Sequence, residues 1–96
     1  MQSVGAIIYA YFVCDAISRR RPMTPSEARA ARVAWEAVRI AHLRAEERAE
    51  LGSGPERRAR VLEIGRRRYA AWAEENPEKV AALRRMAEPP RQPQAM

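Results

Sequence analysis

The sequence predicts an all-α protein, a small helical bundle, on three observations. Residues 24–51 contain no Gly and no Pro beyond the second position, and Ala, Glu and Arg, all good helix formers, dominate them. Residues 55–75 are likewise dominated by Ala, Glu and Arg, with Gly65 the one interior glycine. No pair of segments reads as two strands that could form a sheet. We therefore predict a long antiparallel helix hairpin, about 24–51 and 55–75, with an apolar N-terminal helix and a short C-terminal helix.

The helix predicted over 24–51 has clear signals at both ends. Thr24 is expected to cap its start, accepting from the Glu27 N–H while the Glu27 carboxylate accepts from the Thr24 N–H. Pro25 would occupy the first helical position, where its missing N–H costs nothing. Leu51 is followed by Gly52, a common helix stop.

This central helix is predicted to contact two neighbouring helices at once. At about 100° per residue, Val33 and Ile40 fall on one flank, and Trp35 and Val38 fall on the opposite flank. Small residues run between the flanks: Ala30, Ala34, Ala37, Ala41 and Ala45. The apolar surface is about twice the ~100° width of an ordinary amphipathic stripe, so it suits close approach by two helices.

The most apolar segment is residues 4–14, VGAIIYAYFVC. Its Val, Ile, Tyr and Phe would also suit a strand, but no second strand is present to pair with it, which favours a helix. A helix that is apolar nearly all round is expected to be buried on all sides, either on its own chain or against another. We take its large side chains as the candidate protein interface: Ile7, Ile8, Tyr11 and Phe12.

The third helix, 55–75, follows a tight connection, Gly52-Ser53-Gly54-Pro55. Its interior Gly65 costs about 1 kcal/mol against Ala, so we expect it to permit close approach of the central helix. Tyr69 and Trp72 share its apolar arc and are expected in the core. Four arginines on another arc are the candidate nucleic-acid contacts: Arg57, Arg60, Arg67 and Arg68.

A short fourth helix is predicted from Asn76 as N-cap and Pro77 as first residue, with Val80 and Leu83 turned inward. Residues 89–96 are proline-rich and are expected to form a flexible tail. The chain is 96 residues long, which leads us to expect one helical domain over 1–88.

The formal net charge is +6, and seventeen of the eighteen basic residues are Arg. Such a charge serves solubility, or it attracts nucleic acid, an anionic membrane or an acidic protein. The abundance of Arg and Ala is also typical of GC-rich coding, which weakens the case for each Arg as a phosphate ligand. The apolar segment is too short to span a bilayer, but Arg19-Arg20-Arg21 behind it would suit a membrane surface.

Catalysis finds no support in the sequence. There is one His, His42, and the one Cys, Cys14, is far from it in sequence, so we expect no metal site, and no Cys/His or Ser/His/Asp motif is present. Glu46-Glu47 and Glu74-Glu75 are adjacent in helices and point about 100° apart, so neither forms a shared carboxylate site. We expect no enzyme activity, no cofactor, no metal and no small-molecule substrate.

The sequence therefore favours a protein that acts through protein–protein interaction, as an adaptor, inhibitor or assembly subunit. The partner would be another protein chain or a second copy, contacted through the apolar N-terminal helix. The alternative is a basic helical protein that binds nucleic acid through the third helix. Composition and the single cysteine fit a cytoplasmic or phage-associated accessory protein of a bacterium or phage.

Overall fold

The computed structural model describes residues 3–88. Over this range the chain forms five α-helices and one 3₁₀ turn, with no strand. In chain order they are α1 (Val4–Arg20), α2 (Pro25–Ala41), α3 (Ala45–Arg48), the 3₁₀ turn (Ala49–Gly52), α4 (Pro55–Glu75) and α5 (Pro77–Ala87). The predicted all-α bundle is confirmed, and the predicted tail 89–96 lies outside the described residues.

The apolar N-terminal segment forms a helix, as predicted. Ser3 caps α1, its hydroxyl accepting from the Ala6 N–H at 3.1 Å. The helix ends at Arg20 because Pro22 excludes the α conformation at the residue before it, and Arg21 is extended.

The predicted capping box at the start of α2 is confirmed. The Glu27 N–H donates to the Thr24 hydroxyl at 3.1 Å, and the Thr24 N–H donates to the Glu27 carboxylate at 2.9 Å. Pro25 is the first helical residue. Two N–H groups that lack partners within the helix are thereby satisfied.

The helix predicted over 24–51 is not continuous. It ends at Ala41, and His42 leaves the helical conformation with φ −96° and ψ 8°. Leu43 is buried, and the chain then forms the single turn α3 and the 3₁₀ turn before α4 begins. The predicted pair of long helices is therefore a shorter α2 and a full-length α4, joined by a folded connection that packs on α4.

Arginine side chains account for the end of α2, because they satisfy its last carbonyl groups. Arg48 reaches back and donates to the carbonyls of Ile40 at 3.3 Å and Ala41 at 3.5 Å. Arg68 of α4 donates to the His42 carbonyl at 3.2 Å. These bonds replace those that a continuing helix would have made.

The termini of α4 and α5 differ in detail from the prediction. Gly54, with φ 110°, precedes α4, and no side chain caps that helix. The Asn76 side chain donates to the Trp72 carbonyl at 2.9 Å, and therefore closes α4 instead of capping α5. The bounds of both helices agree with the prediction to within a residue or two.

The core lies where α1 packs between α2 and α5. Its buried centre is Ile8, Phe12, Val38 and Ala87. Partly buried apolar side chains surround it: Ile7, Tyr11, Val13, Trp35, Tyr69, Trp72, Val80 and Leu83. The inward positions predicted for Tyr69, Trp72, Val80 and Leu83 are confirmed. One side of the apolar helix α1 is thus covered by its own chain, at Ile8 and Phe12, whereas Val4 and Tyr9 of the same helix are exposed.

Candidate interaction surfaces

The four side chains predicted to form a protein interface do not share one environment. Ile8 and Phe12 are only 0% and 1% exposed and face the core of their own chain. Tyr11 stacks obliquely on Trp35, with ring centroids 5.0 Å apart. Ile8 and Phe12 are thus covered by their own chain in this fold, so a partner that contacts α1 would have to approach it from another side. The reason is that α2 and α5 cover this side of α1.

Ile7, the fourth residue, lies on an open groove between α1 and α2. The groove has a volume of about 360 Å³. Its lining consists of six apolar residues: Ile7, Ala10, Ala30, Val33, Ala34 and Ala37. Val33 is 69% exposed on one wall. We call this feature the α1/α2 groove.

The groove follows directly from the spacing of small residues in α2. Ala30, Ala34 and Ala37 are four and three residues apart, so they form one line along the helix. Opposite them α1 also offers a small residue, Ala10, and the short side chains leave space between the two helices. The sequence predicted that the alanines would contact neighbouring helices, whereas in the structure Ala30 is exposed and Ala34 and Ala37 are only half-buried. Val33 and Ala10 were not among the candidate site residues, although the helical spacing places Val33 beside this line.

Charged residues flank the Val33 wall of the groove on α2. Arg29, four residues before Val33, is exposed and forms no ion pair with another residue of the described range 3–88. Arg32 is also exposed and unpaired within that range, but it directly precedes Val33 and points about 100° away from it. The nearby acid, Glu36, pairs with Arg58 of α4. The charged neighbours of this wall are therefore one arginine and one glutamate, and no charged residue lines the groove itself.

The predicted basic face of α4 is divided by its ion pairs. Arg68 binds the Glu47 carboxylate with both of its terminal nitrogens, one bond measuring 2.8 Å, so it belongs to the connection that ends α2. Arg67 lies 3.4 Å from Glu63, which also pairs with Arg66. Two of the four candidate nucleic-acid contacts are therefore engaged with carboxylates of their own chain.

The Glu47 carboxylate shows how tightly this connection is held. The hydrogen bonds from the Arg68 side chain and from the Arg44 N–H lower the pKa of Glu47 to about 2. Both partners favour the charged carboxylate, because each donates a hydrogen bond to it. Arg68 is thus a structural residue at this position.

Arg57 and Arg60 are the remaining members of the predicted basic face. Both are exposed and form no ion pair within residues 3–88. They line an open, largely polar cleft of about 620 Å³ at the start of α4, together with Ser53, Gly54, Pro55 and Glu56. Glu56 in the same cleft offsets part of their charge.

The three arginines at the end of α1, Arg19 to Arg21, are also engaged. Arg19 pairs with Asp15 of the same helix. Arg20 lies 3.3 Å from Glu88, and Arg21 lies 2.7 Å from Glu27. The second and third of these pairs connect the end of α1 to the end of α5 and to α2. Each of the three arginines therefore has a carboxylate partner in its own chain, and a lipid headgroup is not needed to balance its charge. None of the helices described is long and apolar enough to cross a membrane.

The groups with chemical reactivity are dispersed. His42 Nδ1 lies 2.9 Å from the Val38 carbonyl, and its ring packs against Tyr69 and Trp72. Cys14 is a half-buried free thiol on α1. Among residues 3–88 no three His, Cys, Asp or Glu side chains come together in an arrangement that would hold a metal ion.

Comparison of the chain with protein-family models, with curated proteins and with solved structures found no match. Two open surfaces of the described residues, the α1/α2 groove and the cleft at the start of α4, could each contact a partner.

Proposed function

We propose that this protein is a non-catalytic interaction module, an adaptor, inhibitor or assembly subunit, whose α1/α2 groove receives an α-helix of another polypeptide. The observation that carries the proposal is the groove itself. Its six lining residues are all uncharged and apolar, and Val33 stands 69% exposed on its wall. The proposal retains α1 as part of the interface but moves the contact from Ile8 and Phe12 to the side that bears Ile7.

The shape of the groove suits a helix. Its floor is made of alanines, which allow a second helix to approach to the short end of the usual 8–10 Å between helix axes. Apolar area removed from water contributes roughly 25 cal/mol per Å², so covering Val33 and Ile7 would favour association. Binding of an amphipathic helix in an apolar groove is a recurrent mode of recognition.

The test uses a fluorescent 18-residue peptide. Leu and Ala occupy one stripe at helical spacing, and Gln occupies all the remaining positions. We expect saturable binding, measured by fluorescence anisotropy, and expect Val33→Glu to weaken it at least tenfold, which corresponds to about 1.4 kcal/mol. The added carboxylate would have to be buried against apolar side chains in the complex.

The matched control is Met86→Glu on α5. Met86 is 68% exposed and does not line the groove, so this variant introduces the same charge at the same exposure and should bind the peptide as the wild type does. Light scattering on the same samples reports self-association. A monomer that fails to bind the peptide would overturn the proposal.

A second candidate function is nucleic-acid binding through Arg57 and Arg60. The observation in its favour is that both side chains are exposed and unpaired within the described residues, beside a polar cleft. Its weakness is the engagement of Arg67 and Arg68 with Glu63 and Glu47, which leaves two arginines where four were expected. Exposed arginines at this spacing suit phosphate contacts and carry no base recognition.

A further inference from the structure

We infer that the helix received by the α1/α2 groove is α2 of a second copy of this chain, which lies antiparallel to α2 of the first copy across a two-fold axis. In this arrangement the Val33 wall of each copy lies against the groove of the other. The inference rests on the proposed function, because it names the partner of the same groove. An unrelated helix as occupant is one of the outcomes of the test.

The groove and its Val33 wall complement each other in shape and in polarity. The groove is a recess of about 360 Å³ lined only by apolar residues. Val33 is 69% exposed at its edge. A two-fold axis brings the same surface of both copies together, so a surface that forms such a contact has to complement itself. A recess beside an exposed valine meets this condition, because each copy supplies one apolar side chain and accepts one.

The apolar surface continues from the groove onto the outer side of α1. Ala6, Tyr9 and Ala10 are exposed there, and they share one face because Tyr9 and Ala10 follow Ala6 by three and four residues. Residues 3–14 include no charged side chain. Interfaces between identical chains are more apolar than the rest of a protein surface. The uncharged groove and the uncharged face of α1 therefore favour a second copy over a charged partner.

The spacing of apolar residues in α2 is that of a helix that packs lengthwise against another helix. Ala30, Val33, Ala37 and Ile40 follow one another at intervals of three, four and three residues, which are the a and d positions of a heptad repeat. Within one copy Ala30 is exposed, and Ala37 and Ile40 are only half-buried. Because two of the four residues are alanines, the axes of two such helices can approach to the lower end of the usual 8–10 Å.

Arg29 and Glu36 flank this row and favour the antiparallel direction. They are seven residues apart, so both lie on the same edge of α2. An antiparallel two-fold pair brings this edge of one copy beside the same edge of the other. With Val33 near the axis, Arg29 of each copy lies about one residue from the level of Glu36 of the other, because Arg29 is four residues before Val33 and Glu36 is three after it. A parallel pair would place Arg29 beside the opposite edge, which carries the uncharged Ala34.

Both members of this pair are able to form it. Arg29 is exposed and has no ion pair within residues 3–88. Glu36 already accepts from Arg58 of α4, but that bond involves only one carboxylate oxygen, Oε1. A carboxylate has about four lone-pair sites, so Oε2 can accept from a second guanidinium. The Glu36 side chain is 39% exposed in the single copy, which leaves access for this contact.

The size of the contact indicates a reversible dimer. α1 and α2 are each 17 residues long, or about 25 Å at 1.5 Å per residue. Two helices of about 10 Å width, side by side, present a face on the order of 500 Å². Each partner of a standard interface buries roughly 800 Å². We therefore expect a dissociation constant in the micromolar range and a monomer–dimer equilibrium.

Sedimentation equilibrium from micromolar to submillimolar chain concentration tests for the dimer. It is run in about 0.15 M salt, where a Debye length of about 8 Å screens the net charge of +6 on each copy. Val33→Glu should raise the dissociation constant of the dimer at least about tenfold, because a carboxylate would be buried against apolar side chains. The control Met86→Glu adds the same charge at a residue of similar exposure on α5 and should leave the constant unchanged.

Charge reversal at the two flanking residues tests the antiparallel direction. Arg29→Glu brings like charges together at both symmetric positions, and Glu36→Arg does the same with the opposite sign. Each variant alone should therefore raise the dissociation constant roughly tenfold. The two variants mixed in equal amounts should form a heterodimer with about the wild-type affinity, because both pairs again join opposite charges. Energy transfer between fluorophores on the two amino termini measures this heterodimer.

The matched control for the mixing experiment is Lys79→Glu, which makes the same change of net charge as Arg29→Glu on the exposed side of α5. It should leave self-association unchanged and should not restore binding to Glu36→Arg. Circular dichroism verifies the helical content of every variant. Glu36→Gln is a milder substitution that removes the carboxylate without adding a cation, and it should weaken the dimer by less than Glu36→Arg does.

The outcomes separate this inference from the proposed function. A monomeric wild type that binds the striped peptide overturns the second copy and leaves the groove as a site for another helix. A monomer that binds no peptide overturns both. A dimer that Val33→Glu leaves intact, or charge variants that fail to restore each other, overturns the antiparallel contact at this groove, and the peptide measurement then decides the proposed function by itself.

Discussion

Gly65 marks the closest approach between α2 and α4. A Cβ atom placed there would overlap the Arg39 carbonyl oxygen and lie 2.8 Å from the carbonyl carbon. The prediction that this glycine permits a close helix approach is confirmed. The part of α2 that lies against Gly65 is the backbone of Arg39. Three alanines of α2 line the α1/α2 groove instead.

The substitution Gly65→Ala tests this contact. Helix propensity alone would favour Ala by about 1 kcal/mol. The new methyl group would meet backbone, which cannot turn aside as a flexible side chain does, so we expect a net loss of roughly 1–3 kcal/mol in the free energy of unfolding. Urea denaturation followed by circular dichroism measures the change.

Gly52→Ala is the matched control for Gly65→Ala. A Cβ atom at Gly52 meets nothing within 4 Å, and its φ is not positive, so the substitution should be close to neutral. If Gly65→Ala proved as stable as the wild type, the close approach of the two helices would not be present in solution.

At the scale of an element, the notable event is the end of α2 at Ala41. Local propensity favours a helix through 24–51, and the capping signals lie at the ends of that range. The break is stabilised by contacts distant in sequence, above all Arg68 with the Glu47 carboxylate and the His42 carbonyl. At this point the tertiary contacts of Arg68 outweigh the local helix propensity, and α2 ends.

The acid-sensitive contacts of the helix ends predict how stability depends on pH. The Arg21 side chain and the Thr24 N–H lower the pKa of Glu27 from 4.5 to about 2, and Arg68 does the same for Glu47. Arg19 lowers the pKa of Asp15. In each case the folded-state pKa is the lower one, so the unfolded chain binds protons first as the pH falls.

We therefore expect the contribution of these carboxylates to stability to be constant above about pH 5 and to be lost progressively from there to about pH 2, measured as the urea midpoint at each pH. Glu47→Gln should lower the midpoint at neutral pH and make the acid decrease shallower. The control Glu74→Gln removes an exposed carboxylate that forms no ion pair within the described residues, and should change neither. An acid decrease identical in wild type and Glu47→Gln would contradict the assignment.

At the scale of the whole molecule, the fold covers the apolar α1 with α2 and α5 and leaves one side open at the groove. The charge is distributed in the same selective way. Within residues 3–88, eight arginines form ion pairs. The basic residues of this range that form no ion pair include Arg29, Arg32, Arg57 and Arg60.

This distribution predicts the outcome of a nucleic-acid titration. If the cleft at the start of α4 binds duplex DNA, the affinity should fall steeply with salt. Arg57→Ala with Arg60→Ala should reduce the slope of log K against log salt by about two, at roughly 0.9 per phosphate contact. The control, Lys79→Ala with Arg85→Ala, removes the same charge from α5 and should leave the slope of log K against log salt close to that of the wild type. A wild-type protein without salt-dependent affinity would eliminate this candidate function.

The amino-acid sequence by itself determined the helical class, the capping box of Thr24 and Glu27, the course of α4 and the inward faces of α4 and α5. These features depend on interactions within a few residues along the chain, and spacing and residue type are enough to predict them. The same is true of the alanine line in α2, which the sequence shows but does not assign to a neighbour.

The tertiary structure decided which surfaces of these helices are covered. Ile8 and Phe12 are buried because α5, more than sixty residues away in sequence, packs against α1. Arg68 becomes structural because the chain folds back to bring Glu47 beside it. The groove stays open because α4 packs on α2 away from its alanines. Which side of α2 is covered depends on contacts between segments distant in sequence, so no single stretch of sequence predicts it.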